Sequence, residues 1–400
     1  MIAQRRFTEL AAVAAAALFL LSWAALHTAW YDEGEIIDIP VYSNYGTAVE
    51  DGDVPYREIE IEYPPGALPA FVVPALLSDD ESGFRTVFEA MMALFGVVTV
   101  LLSAVTLRGL RASPRRTAGV LALIATFPLL LGSVVLTRFD LYPTAFVAAA
   151  IAALVHRRDR LGFGLLGAAV AVKLFPAVLV PVAVGYVWRR RGRHEALICL
   201  ALCAGVVALA YLPFVLVTPD GVAHSLGRQL SRPLQIESLG SAFYLAAHHL
   251  VGLDAEMRSG HGSQNLYATG TAVTAVLLSL VQIAVLVWIW LRRPVSNDEL
   301  VRWLAAALVA FVALGKVLSP QFLIWLVPVV PLVAGVRGLR ASALLAFALV
   351  VTQLWFPARY WGLARGLDPI PSALVLVRDL VLVALLIVLV RDRREPARSP

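Results

Sequence analysis

Charge is scarce in this chain. Of its 400 residues only 15% are Asp, Glu, Lys or Arg, while 60% are hydrophobic; soluble domains carry about 25% charged and about 45–50% apolar residues. Intrinsic disorder and collagen-like structure are excluded by that balance. Cysteine is nearly absent: Cys199 and Cys203, four apart inside an apolar run, read as core or lipid-facing residues, which excludes a disulfide scaffold and a metal pair. Lysine is as rare, with Lys173 and Lys316 set against 31 arginines. There is no Walker loop, no GxGxxG before a helix, no HExxH and no GxSxG, so ATP-driven pumping and serine or zinc hydrolysis lack sequence support. What is abundant is long apolar runs, and the mean hydropathy is +0.78. The chain reads as a multi-spanning membrane protein.

A net charge of +5 does not point to nucleic acid, because the arginines come in short clusters between apolar segments, as topology signals do. A span needs about 20 apolar residues. Candidates lie at 8–29, 84–107, 117–136, 141–155, 161–172, 174–188, 195–217, 267–290, 300–317, 320–336, 341–356 and 372–390. The fold class is therefore all-α and polytopic, a single integral membrane domain over 1–400 with about twelve transmembrane helices. Putting the arginine clusters inside places 22 of the 31 arginines on the cytoplasmic face, with both termini and the basic 391–400 tail. Segment 161–188 has basic clusters at both ends, so a hairpin of two short helices with Lys173 near its tip fits better than one span; such helices are tolerable only where protein surrounds them. The first apolar run exceeds twenty residues and no small-residue cleavage site follows, so a retained helix is expected rather than a signal peptide.

Two long extracytoplasmic loops are expected, 30–83 and 218–266, with interfacial or re-entrant helices in them; loops of that length in compact membrane proteins are usually functional. Between Tyr31 and Tyr63 there are ten carboxylates and a single basic residue, Arg57. Residues 41–51 suggest a short helix ended by Gly52, and Tyr63-Pro64-Pro65 forces extended backbone before the apolar run 66–77. Asp38 either caps that short helix or accepts a proton from a hydroxyl. In Thr137-Arg138-Phe139-Asp140, Arg138 and Asp140 either pair with each other or address a phosphate and a sugar. Lys173 and Lys316 sit in apolar sequence, where an ionisable group is a functional candidate or a snorkelling side chain. Arg232, Gln235 and Glu237 offer hydrogen-bonding groups, or form the polar face of an interfacial helix. Asp32, Glu33 and Glu35 more often mark solvated surface than a cation site, and the adjacent His248 and His249 point apart. No metal is expected.

Six stretches carry a resemblance: DIPVY at 38–42, GDVPYREIEIEYPPGA at 52–67, TRFDLYP at 137–143, VKLFPAVLVP at 172–181, RPLQIESL at 232–239 and KVLSPQFLIWLVP at 316–328. In this order they resemble the GT-C-type, polyprenyl-phosphate-dependent glycosyltransferases of family GT87, which include mycobacterial mannosyltransferases of phosphatidylinositol mannoside synthesis. The resemblance implies a GT-C-like fold in the cell membrane and an active site on the extracytoplasmic side. It implies transfer of a hexose, most readily mannose, from a lipid-linked donor to a glycolipid, glycan or protein acceptor, with inversion and no cofactor. It makes Asp38 the general base, with Asp32 as a competitor. Lys316, Arg232, Lys173 and Arg138 become candidates for the donor phosphate. Tyr42, Glu62, Tyr63, Asp140, Gln235, Glu237 and Gln321 become candidates for holding sugar and acceptor. The rival readings are a transporter or flippase of lipid-linked sugars and a non-catalytic scaffold.

Overall fold

Apolar runs that cannot hydrogen-bond to lipid must satisfy their own backbone, so they fold as helices. A computed structural model describes residues 2–28, 31 and 36–391; the Asp32, Glu33 and Glu35 carboxylates and tail residues 392–400 lie outside the described residues. Among the described residues seven helices are long and apolar enough to cross a membrane. The chain opens with α1 (Ile2–Ala25), has α2 (Ile39–Glu50) and α3 (Pro69–Leu76) in the first long loop, and continues with α4 (Glu81–Gly109) and α5 (Pro114–Leu131). After α6 (Leu141–Val155), α7 (Asp159–Val172) and α8 (Val180–Arg191) comes the long α9 (Arg193–Val217). The second loop holds α10 (Pro219–Leu230) and α11 (Leu239–Val251) and a hairpin of β1 (Ala255–Gly260) and β2 (Ser263–Ala268). The remaining elements are α12 (Thr271–Trp290), α13 (Asn297–Ala313), α14 (Phe322–Leu326), α15 (Gly335–Gln353), α16 (Tyr360–Ala364) and α17 (Pro369–Val390). Spans α1, α4, α5, α9, α12, α15 and α17 make up the seven.

The short helices are the inner ones. α6 has 15 residues and α7 has 14, below the length that crosses unaided, and both are largely buried, as is α13 from Leu300 to Ala313 apart from its Arg302 and Phe311 positions. By contrast α9 and α12 leave Leu209, Leu216, Val273 and Leu277 exposed, which is the surface a lipid-facing helix presents. Side-chain caps start several helices: Asp80 accepts from the Gly83 N–H at 2.7 Å, and Ser296 from that of Glu299 at 3.2 Å.

Arginines gather at one end of the bundle. Arg190 and Arg191 reach Asp159 at 2.5 and 3.0 Å, Arg160 binds Glu195 at 2.9 Å, and Arg302 donates to the Leu389 carbonyl at 2.7 Å. Segment 161–188 therefore folds back on itself, α7 rising to Lys173 and α8 returning to the arginine-rich end.

One expectation is corrected. Segment 320–336 is no continuous span: Pro320, Pro328 and Pro331 each remove a backbone donor, and the chain breaks into α14 and a short 3₁₀ turn, Val330–Leu332. The second long loop holds helices as expected, and beside them the β1–β2 hairpin, which was not foreseen. His261 and Gly262 both have positive φ, the requirement of a two-residue hairpin turn. The Leu234–Ile236 stretch lies along β2, with Ile236 N–H donating to the Gln264 carbonyl at 3.0 Å and Leu266 N–H to that of Leu234 at 2.9 Å.

Candidate active site

Opposite the arginine-rich end, four loop stretches converge. Asp38 occupies the residue just before α2, where a short acidic side chain ordinarily caps the helix, yet its carboxylate makes no capping hydrogen bond. It turns instead to Arg138, whose Nε stands 3.2 Å from Asp38 Oδ2, and to the Tyr42 hydroxyl, which donates at 3.3 Å one helical turn on. The Arg138 contact is an ion pair rather than an aligned hydrogen bond, since Nε has no hydrogen-bonded partner. Asp38 keeps 32% of its side chain exposed while Arg138 is buried. The carboxylate is thus held from behind and open in front.

Arg138 and Asp140 do not pair with each other. The Asp140 carboxylate is fully buried and takes Lys173 Nζ at 2.7 Å and the Trp325 indole N–H at 2.5 Å, both on Oδ1. The Lys173 ammonium also lies 4.4 Å from the Phe139 ring centre and 5.4 Å from that of Trp325, within cation–π range. Trp325 is clamped between Phe175 at 4.1 Å and Phe322 at 4.0 Å. Around Asp38, Tyr42 stacks on Phe71 at 4.8 Å, and Tyr63 meets Phe139 edge-on at 4.8 Å. Tyr42, Tyr63, Arg138, Asp140, Lys173 and Asp38 thus form one aromatic-walled cluster. Phe88 of α4 packs on Tyr42 at 5.5 Å, and the next residue, Glu89, lines a separate open cleft of about 720 Å³ with Trp23, His27 and Arg85.

The other candidates sit on the rim. Glu62 faces Arg228 at 3.4 Å and Arg232 at 3.9 Å, and the hairpin turn at Gly262 closes so tightly on it that a Cβ there would stand 2.7 Å from its carboxylate. Gln235 is engaged at both ends of its amide: Oε1 accepts from Leu318 N–H at 2.9 Å, Nε2 donates to Ser319 Oγ at 2.8 Å, and its own N–H donates to the Lys316 carbonyl at 3.0 Å. It therefore staples the 232–238 stretch to the 316–319 stretch. Lys316 and Gln321 are half-buried on that second stretch. Glu237 is buried, and burial pushes its carboxyl up to about 8 against the opposing pull of Arg378. Among the described residues no group of three His, Cys, Asp or Glu side chains could hold a metal ion.

Several partners escaped the sequence reading. Trp325 and Tyr360 carried no charge to draw notice. Arg378 and Asp379 did carry a signal, two adjacent charges inside an apolar run.

The sequence profile of glycosyltransferase family 87 matches residues 62–320. Among solved structures, ArnT from Cupriavidus metallidurans bound to undecaprenyl phosphate is similar, with 14% identity, a TM-score of 0.49, and coverage of 94% of this chain and 76% of that one. No curated protein matches. With more than half its length matched, the chain belongs to glycosyltransferase family 87.

Proposed function

We propose that the protein moves a hexose, mannose by family precedent, from a polyprenyl-phosphate donor to an extracytoplasmic glycolipid or glycan, with Asp38 as general base. The observation that carries this reading is the Asp38 carboxylate: placed to cap a helix, it leaves the cap unmade and faces open space with Arg138 and Tyr42 behind it. Asp140 is the poorer base, because its carboxylate is sealed and already holds an ammonium and an indole.

In the reaction proposed, Asp38 takes the proton of the acceptor hydroxyl as its oxygen bonds to the anomeric carbon. The bond from that carbon to the phosphate oxygen breaks on the opposite face, and the polyprenyl phosphate leaves with the electron pair. Configuration inverts, so a β-linked donor gives an α product. Arg232 and Lys316, on the rim, are the cations we assign to the departing phosphate. Lys173 and Arg138, each paired with a carboxylate, are assigned to holding the cluster in place and carrying part of the field that the phosphate meets. Tyr42, Tyr63, Glu62 and Glu237 are assigned to sugar and acceptor hydroxyls, and Gln321 to the same rim. Chemistry outside the cell has no ATP at hand, and a lipid-phosphate sugar is a donor activated beforehand. The arginine-rich end then faces the cytoplasm, with both termini.

The test is transfer in membranes that contain the protein, with radiolabelled polyprenyl-phosphate mannose or GDP-mannose as donor and a lipid extract as acceptor. Label should pass to product from the lipid-linked donor alone. Transfer from the nucleotide sugar when synthesis of polyprenyl-phosphate mannose is blocked would contradict the proposal.

A further inference from the structure

Arg378 and Asp379 stand side by side in α17 about 14 Å along its axis from Pro369 at ~1.5 Å per residue, and both are fully buried. A charged pair at such depth is expensive in desolvation, and apolar residues of similar volume often serve stability as well or better. Stability alone is therefore a poor reason for these two residues. The geometry shows what the arginine reaches. Its Nη2 donates to the main-chain carbonyl of Glu237 at 2.6 Å, its Nε lies 2.6 Å from Asp379 Oδ1, and its guanidinium is 5.7 Å from the Trp355 ring centre. Beyond that ion pair, Nη1 of Arg378, Oδ2 of Asp379, Oε2 of Glu237 and Nε1 of Trp355 have no hydrogen-bond partner. Such a concentration of orphaned polar atoms is unusual in a protein interior, where most buried polar groups are satisfied.

Glu237 ends the stretch that carries Arg232 and Gln235. That stretch is fixed at its middle by β2 and by the 316–319 stretch. Its far end, leading into α11, is tied to the bundle by Arg378. The side chain of Glu237 in turn lies within the electrostatic reach of Arg138, and that of Tyr360 within reach of Glu237, Arg138 and Asp38. The pair also falls beyond residue 320, where the family profile ends.

We propose that Arg378, with Asp379 as its counter-ion, is a positioning residue: it holds the Glu237 end of the 232–238 stretch in the bundle and so sets where Glu237 and Arg232 stand relative to Arg138 and Asp38. Its catalytic consequence rests on the transferase reading above; the positioning itself does not.

The test uses the full chain in detergent. Arg378→Met/Asp379→Leu replaces the pair by apolar groups of similar size, and Arg378→Lys keeps a charge but loses the planar fork. Hydrogen exchange is followed over residues 232–242 and over α15 and α17, and transfer kinetics are measured on the same preparations. The expected result is exchange about tenfold or more faster in 232–242 with α15 and α17 unchanged, and kcat lower by about 100-fold with donor KM changed far less, as a displacement near 1 Å gives. Arg378→Lys should show the same pattern more weakly, and it decides the matter if the double variant does not fold. Unchanged exchange in 232–242, or equal loss of protection in every helix, overturns the proposal. If the wild type transfers no sugar, the transferase reading fails and the exchange data alone decide this one.

Discussion

At the scale of single residues, the two aspartates of the cluster divide by burial. Asp140 is 0% exposed and neutralised by Lys173. Removing the ammonium with Lys173→Met leaves a carboxylate sealed without its counter-ion, which is expected to destabilise by about 3–5 kcal/mol. The double change Asp140→Asn/Lys173→Met should recover most of that loss, because the two sites share one interaction. Thermal unfolding of the purified protein checks this, and a Lys173→Met variant as stable as the wild type would refute it. Glu237 supplies a pH prediction. Burial lifts its carboxyl from an ordinary 4.5 to about 8 in the folded chain, so the folded state holds the proton more tightly. That contribution is fully present below about pH 4.5, is lost as pH rises toward about 8, and is flat beyond. Glu237→Gln, neutral throughout, should remove this part of the pH dependence of the melting temperature; an unchanged slope between about pH 5 and about pH 8 would count against it. Sequence alone picked out Lys173 because charge in apolar surroundings is conspicuous, and Arg138 and Asp140 because they stand two apart, while the base role of Asp38 was implied by the resemblance. It could not say who pairs with whom, since Lys173 and Asp140 are far apart in the chain and meet only through the fold.

Among elements, α2 matters most because it starts directly after Asp38 and carries Tyr42. It packs on α3 through Gly46, where a Cβ would stand 2.3 Å from the Phe71 carbonyl oxygen and 2.9 Å from Ala75 Cβ. Gly46→Ala should push α2 off α3 and displace Asp38, lowering kcat by about tenfold to 100-fold. Gly119→Ala on α5, with nothing within 4 Å, serves as the control and should be neutral or stabilising by about 0.5–1 kcal/mol. Equal activity in both variants would refute the close packing as the reason. The short helix at 41–51, the run after Tyr63-Pro64-Pro65 and the hairpin with Lys173 at its tip were legible because proline, glycine and clustered arginine punctuate them. The β1–β2 hairpin was not, because its strands are short and mostly polar and its turn is His-Gly rather than the Asn-Gly that marks such turns. Nor was the break in 320–336 read, although three prolines announced it.

Over the whole molecule, apolar length and arginine placement made the helical class legible, and the converging loops were not, because their contacts join residues from 33 to 185 positions apart. The proposed orientation has its own test. Cysteines introduced at Glu50, at the site end, and at His194, at the arginine-rich end, are both at exposed positions, whereas Cys199 and Cys203 are buried. A membrane-impermeant maleimide should label the first in intact cells and the second only after permeabilisation; the reverse pattern would invert the topology. The central claim is that Asp38 is the base. It is tested most directly by radiolabelled sugar transfer from polyprenyl-phosphate mannose by the wild type and by Asp38→Asn, compared at equal expression. The account predicts that transfer falls by about 100-fold or more in Asp38→Asn, the scale of a lost general base. Transfer at the wild-type rate in Asp38→Asn would contradict it and move the base to another carboxylate.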